Sequence, residues 1–258
     1  MDRRSFLLRA GAACLCGACG GLASHSAFAS EAAPHWTYEG HGGPADWGHL
    51  SPEYGACSIG KGQSPIDLTH AVAEALPHPQ VAWKPVPLKV ANNGHTIEVA
   101  GAGGGTIQVD GAVYSLAQFH FHHLSEHTID GKPFDLECHF VHKAVEPGGG
   151  LAVLGVLIAA GDANPALERI FAIMPSGVGE AASNEPFDPT ALLPREFAAF
   201  RYSGSLTTPP CSEIVQWAVL KQPISASAEQ IARFAALFPN NARPVQPLNG
   251  RKLFIEAT

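Results

Sequence analysis

Two segments of the chain, 113–122 and 135–142, constrain its fold more than any other feature. Each has the pattern of a β-strand, in which residues two apart share a face. On the first, Gln118, His120 and His122 lie together, with Phe119 and Phe121 behind them. On the second, Glu137, His139 and Val141 share a face, and Leu136, Cys138 and Phe140 oppose them. As neighbours, the two strands bring three imidazoles to one pleated surface. Three neutral ligands with an open fourth position make a catalytic zinc site, and carboxylates at Glu126 and Glu137 stand near enough to orient ring N–H groups. The spacing alone does not fix the metal. His120-x-His122-x-x-x-Glu126 also fits the start of a cupin motif, in which Glu126 would be a ligand to Fe, Mn or Ni. The glycine spacing before His120 is wrong for that motif, and no convincing second cupin motif follows.

Residues 1–29 read as a Tat-type signal peptide and 30–258 as one catalytic domain. Arg3-Arg4-Ser5-Phe6-Leu7-Leu8 places twin arginines before a Gly/Ala-rich apolar stretch, and Ala27-Phe28-Ala29 supplies the small residues of a cleavage site. The stretch is too short and glycine-rich for a stable span, so the mature chain has no transmembrane segment and a periplasmic location is expected. A lipoprotein reading at Cys19 would put Cys16 where an aliphatic residue is usual. Three Arg and one Asp fall in the leader, which leaves 13 Lys+Arg against 22 Asp+Glu and a formal charge of −9. An acidic chain without a basic stripe is not built for nucleic acid.

Strand-like runs dominate the rest, at 86–91, 96–100, 106–109, 113–122, 135–142, 151–160 and 214–220. The run Leu151–Ile158 is apolar on both faces, which predicts a central strand covered on both sides. Helices are few. Asn164-Pro165 is an N-cap with proline at the first position for a helix over 166–173. Ser227 with Gln230 forms a capping box before a buried stripe. The fold class is therefore mainly β, one domain around a large sheet with peripheral helices. Cys57, Cys138 and Cys211 remain after the leader is removed, and three pairings are open. Cys138 lies behind His139 as a buried thiol, while Cys57 and Cys211 both lie in turn-rich segments.

The motifs, in order, resemble those of the α-class carbonic anhydrases over nearly the whole mature length. They include His35-Trp36-Thr37-Tyr38-Glu39-Gly40, Gln63-Ser64-Pro65-Ile66 and Asn92-Asn93-Gly94-His95. Gln118–His122, Ser125-Glu126-His127-Thr128 and Glu137–Val141 follow, then Gly150–Gly155, Gly204–Pro210 and Arg243–Leu248. The resemblance implies a twisted, mostly antiparallel sheet of about ten strands and a bacterial periplasmic member with a Cys57–Cys211 disulfide. It implies Zn2+ held by His120, His122 and His139, with Gln118 and Glu137 accepting ring N–H bonds. It implies zinc-hydroxide attack on CO2, in which Thr207 passes a proton to Glu126 and so orients the hydroxide. Thr208 would line the same wall, and Val141, Val153, Leu206, Val215 and Trp217 would form the CO2 pocket. His95 would shuttle the proton, with Tyr38 and Asn93 ordering water between. Substrates would be CO2, bicarbonate and water, and sulfonamides and anions would inhibit. The chain is compatible with a monomer or a homodimer. A catalytically silent relative is the alternative, but such relatives typically lose a ligand histidine. Two positions depart from the pattern. Leu124 stands where proline is frequent, and Glu98 stands where an amide is usual, an acid expected to raise the pKa of His95.

Overall fold

The computed structural model describes residues 35–257, so the expected leader lies outside the described residues. Two short strands come first, β1 (Val72–Glu74) and β2 (Gln80–Trp83). They are followed by β3 (Val86–Asn92), β4 (Ile97–Ala100), β5 (Gly105–Val109) and β6 (Ala112–His122). β7 (Thr128–Ile129) and β8 (Lys132–Pro133) form a small separate ladder. The long pair β9 (Leu136–Ala144) and β10 (Leu151–Ala160) follows, then β11 (Gly179–Phe187), β12 (Ala199–Gly204), β13 (Val215–Ala226) and β14 (Phe254–Glu256). The main sheet has 12 strands in the order β1-β14-β12-β13-β10-β9-β6-β4-β3-β11, with β2 and β5 joined to it through β6. Among the described residues, only the strand pairs β1–β14 and β10–β13 are parallel. The expected large, mostly antiparallel sheet of about ten strands is present, while the seven strand-like runs read from the sequence left out β1, β2, β11, β12 and β14 of it. β1 and β11 are exposed edges with little apolar alternation, and β14 is only three residues long.

Local chemistry sets the ends of these elements. Asp110 and Gly111 both take positive φ, 49° and 83°, so β5 returns as β6 through a two-residue hairpin turn. Four α-helices lie among the described residues: α1 (Trp47–Leu50), α2 (Ala56–Ile59), α3 (Pro165–Phe171) and α4 (Ala228–Ala235). Asn164 accepts bonds from the Ala166 and Leu167 amides, and Ser227 and Gln230 complete their capping box. No helix among the described residues is long and apolar enough to cross a membrane.

The sheet separates two apolar clusters. Phe119, Phe121, Cys138, Phe140, Leu154 and Val156 belong to the larger, which is closed by Phe171 of α3 and Phe234 of α4. Val153, Leu157, Tyr202, Val215, Trp217 and Val219 belong to the other. Strand alternation thus hides one set of side chains and leaves the opposite face of β6 and β9 for His120, His122 and His139. β10 is buried over Ala152–Ile158, as a central strand must be.

Candidate active site

The register fixes the histidines. His120 lies opposite His139 across β6 and β9, and Gly155 of β10 lies beyond it. Their metal-competent nitrogens, with that of His122, lie within 4.8 Å of one another. Each ring is held from behind by an acceptor. His120 Nδ1 donates to Gln118 Oε1 at 2.8 Å, and His122 Nδ1 donates to the Asn241 carbonyl at 2.8 Å. His139 Nε2 donates to Glu137 Oε1 at 2.9 Å. With those protons committed, Nε2 of His120, Nε2 of His122 and Nδ1 of His139 each present a lone pair. The buried Nε2 of His122 has no hydrogen-bond partner among the described residues. Burial lowers all three imidazoles' pKa values, that of His122 to about 4. Three neutral nitrogen donors with an orphaned buried lone pair fit a zinc ion.

Glu137 is the hub behind the site. Oε2 accepts the amides of Glu126 and His127, each at 2.9 Å, and Oε1 accepts from His127 Nδ1 as well as from His139. Burial alone would raise its carboxyl, but His127 and His139 hold it well below the usual range. His127 Nε2 is 2.7 Å from the Tyr202 hydroxyl, itself 3.0 Å from Ser64 Oγ.

Glu126 is buried, and its Oε1 accepts the Arg243 amide at 2.8 Å. Its Oε2 stands 3.6 Å from His122 Nε2 and 3.8 Å from His139 Nδ1. Burial lifts this carboxyl to about 7, opposed by His139 and by the Thr207 hydroxyl. Glu126 Oε2 has no hydrogen-bond partner among the described residues. The loop carrying Thr207 and Thr208 is closed by the Cys211 amide on the Thr208 carbonyl, and Cys211 is disulfide-bonded to Cys57. Cys138 is free and buried.

The predicted apolar residues come together. Val141, Val153 and Trp217 lie in register across β9, β10 and β13. Val215 joins them in the buried cluster, with Leu206 packed against it. The Trp217 ring lies 4.9 Å from that of His139. A cavity of about 130 Å³ is lined by His120, His122, Thr208, Tyr38, Asn93 and His95 among others. Asn93 Oδ1 caps the turn that carries His95, accepting the amides of His95 and Thr96. The His95 ring stacks on Trp36 at 3.8 Å. Its pKa moves down, through burial and then through His35, and not up as expected from Glu98. Glu98 is not among the causes of the shift; partial burial and the second imidazole set its direction. Glu98, also a lining residue, has its own carboxyl raised by burial.

Three supporting residues escaped the sequence reading. Asn241 holds His122 through its carbonyl, and its side chain donates to the His95 and Phe121 carbonyls. Trp36 carries the His95 ring, and the Arg243 amide fixes Glu126. Main-chain donors and acceptors leave no side-chain signature, and nothing in the sequence says which ring Trp36 meets.

Comparison with known proteins agrees with this geometry. The family described as "Eukaryotic-type carbonic anhydrase" matches residues 42–257. The carbonic anhydrase of Pectobacterium carotovorum is 46% identical over 219 residues, covering 84% of this chain and 89% of that protein. That of Neisseria gonorrhoeae is 46% identical over 219 residues, covering 84% and 86%. The α-carbonic anhydrase of Thermovibrio ammonificans, solved with the inhibitor sulfanilamide, superposes with a TM-score of 0.83 at 47% identity, covering 86% of this chain and 99% of that one. The chain belongs to the eukaryotic-type, or α-class, carbonic anhydrase family, and its enzymatic class is that of a carbonic anhydrase.

Proposed function

We propose that the protein hydrates CO2 reversibly with zinc held by His120 Nε2, His122 Nε2 and His139 Nδ1. The observation that carries the reading is the set of three lone pairs turned inward while each ring's other nitrogen is spent on an acceptor. Bound there, zinc would supply a Lewis acid that acidifies water into the physiological range, the effect for which carbonic anhydrase is the reference case.

The chain's own groups do the rest. A cation among the histidines would hold the neighbouring Glu126 ionised, because opposite charge offsets burial. Thr207, donating its hydroxyl proton to that carboxylate, is left to accept a proton from the attacking oxygen and so aims the oxygen's lone pair at the carbon. CO2 is small and nonpolar, and Val141, Val153, Leu206, Val215 and Trp217 give it an apolar wall beside His139 instead of a hydrogen-bonding cradle. His95, lining the cavity with Tyr38 and Asn93, takes the released proton to solvent, as an imidazole can near neutral pH; burial and His35 lower its pKa and so favour release of the proton once carried. Sulfonamides and inorganic anions would compete at the same lone pairs; the Thermovibrio enzyme was solved in complex with the inhibitor sulfanilamide. The twin-arginine leader and the disulfide support action in the periplasm, and fractionation of an Arg3→Lys/Arg4→Lys variant tests the export route.

Stopped-flow hydration tests the division of labour. His95→Ala is expected to lower kcat roughly tenfold or more, keep kcat/KM, and recover with imidazole buffer. Thr207→Val is expected to lower kcat/KM roughly 100-fold. Equal, unrescued losses in both parameters for His95→Ala would remove His95 from the proton path.

A further inference from the structure

Glu98 occupies a position that the hydration chemistry does not use. It lies directly opposite His120 across β4 and β6 and lines the same cavity of about 130 Å³. It is the one acid lining that cavity among the described residues, and none of the ion pairs found among those residues includes it. The same side chain also lines the adjoining hollow, together with Lys89 and Glu180. Register connects the row, with Glu180 opposite Ala91, Ala91 opposite Glu98, and Glu98 opposite His120. The wall therefore carries two acids, Glu180 at the sheet edge and Glu98 beside His120, with Lys89 lining the same hollow.

The reaction presents this wall with two species of different charge. CO2 is neutral and bicarbonate is an anion. A fixed carboxylate at the cavity wall leaves the first untouched and raises the energy of the second, and a low-dielectric surround strengthens the effect. We propose that Glu98 is a specificity-determining residue that sets the charge selectivity of the cavity, disfavouring anionic ligands, bicarbonate included, against neutral ones. This rests on the zinc-site reading above. It weakens the hold of the product and of inhibitory anions without touching the groups that activate water.

Calorimetric binding of two benzenesulfonamides to the zinc-loaded enzyme tests it, one with a 4-carboxylate and the other with the isosteric 4-carboxamide. At low ionic strength the native enzyme is expected to bind the carboxylate roughly three- to tenfold more weakly. In Glu98→Gln the ratio is expected to fall close to one through a gain for the carboxylate alone, and Glu98→Asp is expected to retain most of it. About 1 M salt is expected to collapse the ratio in the native enzyme, because screening then acts over roughly 3 Å. A ratio unchanged by Glu98→Gln, or unchanged by salt, overturns the proposal. Failure of both ligands to bind overturns the zinc-site reading instead.

Discussion

At the scale of single residues, the account turns on how protons are assigned to buried rings. Glu137 accepts four hydrogen bonds on two oxygens, so an amide there must point its NH2 at a donor whichever way it is turned. Glu137→Gln is expected to weaken zinc binding by roughly 10- to 100-fold in chelator competition and to cost roughly 3 kcal/mol of stability. His142 makes a separate prediction. It is buried behind the ligands, with Nε2 accepting from Trp83 Nε1 at 3.1 Å, and burial lowers its pKa to about 4. The unfolded chain therefore binds this proton first, so the stability is present above about 6.5 and is lost as pH falls towards 4, by up to roughly 3 kcal/mol. Urea unfolding across that range should show the decline, and His142→Gln should flatten it. The three candidate ligand histidines were legible because alternation puts His120 and His122 on one face of β6, and pairing of β6 with β9 brings His139 beside them. The Asn241 carbonyl was not, because any residue supplies a carbonyl and only the folded chain shows which one meets His122.

The elements place these residues through register. His139 faces Gly155 across β9 and β10, and the glycine leaves room for Glu137 to reach back to the ring. A Cβ at Gly155 would lie 3.0 Å from Glu137 Oε1 and 3.2 Å from Val219 Cγ2. Gly155→Ala is accordingly expected to fold with an unchanged far-ultraviolet spectrum but to bind zinc about tenfold more weakly, because the displaced carboxylate no longer orients His139. An unchanged affinity would show that Glu137 has slack at this point. The central strands were readable from period and length, and both capped helices from their first residues. The edges were not. β11 reads Gly-Glu-Ala-Ala-Ser-Asn-Glu-Pro-Phe, mostly exposed and without apolar alternation, and only pairing with β3 makes it a strand.

Across the whole molecule, the disulfide ties the N-terminal arm to the loop that carries Thr207 and Thr208. Cys57 and Cys211 are 154 residues apart, so their bond removes a large loop from the unfolded ensemble. The chain-entropy model puts that at about 5 kcal/mol, an upper figure. Reduction, or Cys57→Ser/Cys211→Ser, is expected to lower the urea midpoint substantially; a midpoint unmoved by either would mean that Arg243 and Gln63 alone anchor the arm. The central claim concerns the three lone pairs at the floor of the sheet. Zinc should be stripped from the mature protein and titrated back while bound metal and stopped-flow CO2 hydration are followed in the same samples. Hydration that disappears on removal and returns in proportion to one zinc per chain, with no recovery in His139→Ala, is the predicted result. Full zinc occupancy without hydration, or hydration indifferent to zinc, would contradict the account.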